Sequence, residues 1–199
     1  MIPKIIFRYS RIYDQKFRDS KLIQKNLIKR NHKYPSIKKI ENYIKKIEKL
    51  WKKEGEKILK EIAKITGFKW KEKEIICYVI GIGGCFSDPL TIKIFKNTSY
   101  FIDVLTHELI HQIQTQNHNL FIKWFNYIRK NYKDEPKTTK SHILLHAVHW
   151  KLLETLFDKE RVKKIIKKHN DFKDYKRAWK IVEEVGAEDI IKKFKLITK

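Results

Sequence analysis

The chain has 199 residues, 42% hydrophobic and 13% aromatic, which is enough to fill one sizeable core and excludes a disordered polymer. Lysine and arginine number 46 against 23 acidic residues, a formal charge of +23 that would suit a polyanionic partner, but the lysines are spread along the chain like a solvated basic surface. The first ten residues meet lysine and arginine too early for a secretory leader, no run approaches the ~18 apolar residues of a spanning helix, and Cys77 and Cys85 form no CxxC; the expectation is a cytoplasmic protein with free thiols and no membrane partner.

Residues 1–34 mix apolar and basic residues without a clean period, although Ile12, Leu22, Ile23, Leu27 and Ile28 suit part of a helix. From Pro35 the pattern sharpens. Ile37, Ile40, Ile44, Ile47, Trp51, Ile58, Ile62 and Ile65 recur at three- and four-residue steps with lysines and glutamates between, so 36–66 reads as one long amphipathic helix with Pro35 near its start and Gly67 as its stop. Its glutamates at 41, 48, 54, 56 and 61 balance much of its charge, which argues against a membrane-surface or nucleic-acid helix. Glu74–Ile82 is β-branched and short, a strand covered on both faces; Leu90–Phe95 alternates like a strand with one exposed side. Asn97, Thr98 and Ser99 supply cap residues for a helix through Gln116 whose apolar face is Ile102, Leu105, Leu109 and Ile113. A helix from Leu120 to Tyr132 follows, then a loop with a cap at Ser141, a helix from His142 to Phe157, and two or three basic helices over 159–199 with Gly186 between the last two and Trp179, Ile181 and Val182 as packing residues.

Within the helix after Asn97 lies His107-Glu108-Leu109-Ile110-His111. Histidines four apart share a helical face, so both imidazoles can bind one cation, while Glu108, about a quarter turn away, can hold and deprotonate a water. A catalytic zinc needs three protein ligands and an open position. The extended pattern with glycine and a third histidine downstream is excluded by Gln114 and Asn117, and His118 lies about 10 Å further along the axis than His111. The helix beginning at His142 offers candidates for a third ligand: His142, His146 and His149 share a face, and Glu154 lies three turns in. Either His142 or His146 can serve; His146 is preferred, because the first residue after a cap frays.

On HELIH and the order strand, edge strand, motif helix, ligand-bearing helix, residues 75–157 resemble the small gluzincin-like zinc metallopeptidases. The resemblance implies an α+β, predominantly helical fold: a zincin-like core with a small antiparallel sheet packed on the HExxH helix. With the length and composition of the chain, the expectation is a single metallopeptidase-like domain over 1–199, divided into an N-terminal helical region (1–67), the core (68–157) and C-terminal helices (158–199). The resemblance also implies Zn2+, His107 and His111 as ligands, Glu108 as general base, and a peptide or protein substrate, whose backbone Leu90–Phe95 can bind as an added strand. His142, His149 and Tyr175 are candidates for stabilising the oxyanion. The rival expectations are a basic protein docking on nucleic acid with a structural metal, and a vestigial pocket in a helical assembly protein.

Overall fold

The computed structural model describes all 199 residues. Nine helices and four short strands make it α+β and mostly helical. The chain separates into two compact units, one comprising 2–56 and 72–109, the other 57–71 and 110–199 with Met1. The units interleave in sequence, so neither coincides with one of the stretches 1–67, 68–157 or 158–199.

The first unit holds the sheet. β1 (Lys4–Arg8) pairs in parallel with β2 (Glu74–Ile80), from Lys4 opposite Glu74 to Arg8 opposite Tyr78. β4 (Leu90–Lys93) pairs in parallel on the other side of β2, and β3 (Phe86–Ser87) closes the edge antiparallel to β4. The order is β1-β2-β4-β3. The sheet is therefore mixed, not antiparallel as expected: the long excursion between β1 and β2 lets them run the same way. After β2 the chain passes to the far edge, forms β3, and turns back at Asp88-Pro89 to lay β4 inside. β4 is accordingly not the exposed substrate strand anticipated from its alternation. Leu90, Thr91 and Ile92 are all buried.

β1 lies in the stretch without a clean period. Its inward residues are only Ile5 and Phe7, too few repeats to separate strand from helix by pattern. Two short helices follow, α1 (Arg11–Arg18) and α2 (Lys21–Lys29). α1 is anchored by Asp14, a fully buried carboxylate that accepts hydrogen bonds from Tyr9 (3.2 Å), Arg18 (2.9 Å), Tyr34 (2.7 Å) and the Gly81 N–H (3.0 Å) at the end of β2. Four donors satisfy a charge that would otherwise be costly to bury. α3 (Ile37–Thr66) ends where expected, at Gly67 with φ +73°. Its start differs slightly: Ser36 caps it through the Lys39 N–H, leaving Pro35 just outside.

The second unit is helical: the ends of α3 and α4 (Thr98–Gln116), then α5 (His118–Asn131), α6 (Lys137–Leu156), α7 (Lys159–His169), α8 (Lys173–Val185) and α9 (Ala187–Thr198). α6 packs against α7, α8 and α9. The segment after Gly67 is held by Trp70, which donates to the Leu59 carbonyl (3.1 Å), and by Asn117, which donates to the Lys69 carbonyl (2.9 Å). Gly186, at φ +95°, separates α8 from α9 as the sequence anticipates.

Candidate metal centre

α4 is capped at its start by Asn97, whose Oδ1 accepts from the N–H groups of Ser99 (2.8 Å) and Tyr100 (3.2 Å). Phe101, Ile102, Leu105, Leu109, Ile110 and Ile113 are fully buried, the four expected core residues among them. This apolar stripe sets the helix rotation and so the direction in which His107 and His111 leave it.

One ring nitrogen from each of His107, His111 and His142 lies within 4.8 Å of the other two. The His111 and His142 rings meet edge-on, centroids 5.1 Å apart. Three imidazoles are a donor set suited to a borderline transition metal, and ligand bonds of about 2.0–2.1 Å would draw these nitrogens together with small side-chain shifts. His142 is also oriented. Its Nδ1 lies 2.7 Å from the Thr138 carbonyl, which can only accept, so Nδ1 carries the proton and the lone pair sits on Nε2. A hydrogen bond that fixes the ring's tautomer and direction is the usual companion of a metal-binding histidine. Burial lowers the His111 pKa to about 3, helped by His142 beside it, and lowers that of His142 against the opposing pull of the Thr138 hydrogen bond. Both are neutral at pH 7, the form a metal binds.

Glu108 is buried beside the histidines, and burial pushes its carboxyl up to about 7. A cation bound alongside would draw that value back down. Cys77 and Cys85 are free thiols as expected, both raised by burial.

The other site candidates go elsewhere. His146, preferred as third ligand, does not join the group: its ring stacks on Trp179, centroids 4.0 Å apart and planes at 7°. The preference rested on His142 fraying after a cap at Ser141, but α6 begins five residues earlier, at Lys137, with Pro136 before it. His142 is in the second turn, where its carbonyl partner Thr138 is already in place. Ser141 is not a cap; its hydroxyl donates to the same Thr138 carbonyl (2.9 Å). His149 is buried near Trp179. Glu154 pairs with Lys159, and His118 is exposed on α5. Tyr175 on α8 is half-buried, its ring centroid 4.4 Å from that of His142.

Two contributors escaped the sequence reading. The Thr138 carbonyl is a backbone group whose role depends on where α6 starts. His169 on α7 accepts from the Trp179 indole N–H (3.0 Å), and no spacing in the sequence links it to His146. No family model, curated protein or solved structure matches the chain.

Proposed function

We propose that the protein is a zinc-dependent metallopeptidase of the gluzincin-like type, hydrolysing peptide bonds with Glu108 as general base. The observation that carries the reading is the convergence of His107, His111 and His142 next to the buried carboxylate of Glu108. When bound, zinc supplies a Lewis acid that lowers the pKa of water and polarises a carbonyl. The three imidazoles hold it, and burial keeps His111 and His142 neutral. Glu108 takes the proton of the attacking water and returns it to the leaving amine. Of the three candidates for the oxyanion, His142 belongs to the ligand set and His149 is 1% exposed, which leaves Tyr175, half-buried against His142, as the donor.

The test is zinc content and peptide hydrolysis measured together. The wild type binds one zinc per chain after metal-replete purification and cleaves an unstructured polypeptide. Glu108→Gln keeps the zinc and loses cleavage by at least about a thousandfold, since it removes the base and leaves the ligands. A chain that holds no zinc, or a Glu108→Gln variant as active as wild type, would sink the proposal.

A further inference from the structure

The three most exposed large hydrophobic side chains in the chain, setting aside the terminal Met1, are Ile12 (82%), Ile28 (80%) and Leu22 (71%). All three lie on α1 and α2. On α1, Asp14 points inward to its four donors, and Ile12, two residues earlier, is rotated about 200° from it, almost straight outward. On α2, Leu27 is buried and Ile23 half-buried, which fixes the inner side. At 100° per residue the opposite side carries, in order around an arc of about 120°, Ile28, Lys21, Lys25, Lys29 and Leu22. Two aliphatic side chains flank three lysines, all exposed.

The charge of this stretch is equally one-sided. Residues 11–33 contain eight lysines and arginines, two aspartates and no glutamate, and one of the aspartates is the buried Asp14 bonded to Arg18. α3 differs: its lysines are interspersed with glutamates along its length.

We propose that the α1–α2 face is a docking surface for an anionic lipid bilayer. Nucleic acid would satisfy the lysines but leave three aliphatic side chains against charge and water. On α2 the aliphatics stand as single protrusions separated by lysines, not as the continuous apolar patch that a protein partner covers. A bilayer with anionic headgroups accepts both sets: Lys21, Lys25 and Lys29 reach phosphates at headgroup depth, their methylene stems lying along apolar surface, while Ile12, Leu22 and Ile28 enter the acyl boundary. A helix lying in the interface needs no spanning segment, and no helix here is long and apolar enough to cross a membrane.

The experiment is co-sedimentation of the full chain with vesicles of phosphatidylcholine alone or with about one-third phosphatidylserine, at ~0.1 M salt. The wild type is expected to pellet with the anionic vesicles and stay in solution with the neutral ones. Lys21→Gln, Lys25→Gln and Lys29→Gln together are expected to weaken partition roughly a hundredfold. Ile12→Ser, Leu22→Ser and Ile28→Ser together are expected to weaken it at least about tenfold, with zinc content and circular dichroism unchanged, because these side chains contact little of the protein. Failure to bind anionic vesicles overturns the proposal. So does an aliphatic triple variant that binds like wild type, which reduces the surface to charge alone, or retention on duplex DNA without retention on vesicles.

Discussion

Two groups of three histidines stand side by side in this protein and have different surroundings. His107, His111 and His142 each bring one ring nitrogen within 4.8 Å of the other two, whereas His146, His149 and His169 are packed around Trp179. His142 and His146 are one turn apart on the same helix, on the same face, and chemically identical. Their neighbours separate them: a backbone carbonyl aims His142 at α4, and a flat indole receives the face of the His146 ring. Helical spacing selects a face, but it cannot tell a ligand from a core aromatic.

Alanine at His142 and at His146, each in turn, separates the two groups with the largest effects. His142→Ala should abolish stoichiometric zinc, read by elemental analysis, and a chelator should then no longer lower the variant's melting temperature. His146→Ala should keep its zinc and lose about 2–4 kcal/mol of stability in urea, the cost of a cavity beside Trp179. If His146→Ala loses the metal and His142→Ala keeps it, the assignment of the two groups is inverted.

Acid acts on both groups in the metal-free protein, because burial lowers His111 and His142 as well as His149 and His169. Burial holds His149 at about 3 and His169 at about 4, each with a neighbouring histidine adding to the shift, against an ordinary value of 6.5. Above pH 6.5 the folded and unfolded states are both neutral at these positions, and their contribution is intact. Below it the unfolded chain takes up protons that the folded chain refuses, so stability falls with pH until the folded values are reached. The expected slope is about 1.4 kcal/mol per pH unit for each group. Urea midpoints at intervals between pH 7 and 4.5 should trace it, and His149→Phe should make it shallower by one group's share. A midpoint independent of pH over that range would mean that these rings are already accessible to protons.

The smallest effect concerns Ser141. Since α6 begins at Lys137, Ser141→Ala should change stability by less than about 0.5 kcal/mol and leave zinc binding intact, because the Thr138 carbonyl still orients His142. An N-cap in that position would instead cost about 1 kcal/mol. A loss of that size, seen in the same urea measurement, would restore the later helix start.

Where a signal was long, the sequence was legible. The apolar stripe of α3 repeats over eight turns, and Gly67 ends it at positive φ, so its limits were readable to within a residue. The four apolar residues on α4 were readable for the same reason, and they fix the direction of the HELIH histidines. β1 was not readable, with two inward residues in five. Neither was the parallel pairing of β2 with β4, because residues 81–89 carry no mark that the chain crosses to the far edge before turning back.

For the candidate site the division is similar. Local helical geometry determined that His107 and His111 share a face with Glu108 beside them, since five consecutive residues on one helix need no other part of the fold. Which distant histidine joins them was decided only by tertiary structure. That choice depends on where α6 begins, how it is rotated, and whether a carbonyl or an indole waits beside each ring, and those are properties of packing between elements far apart in the chain.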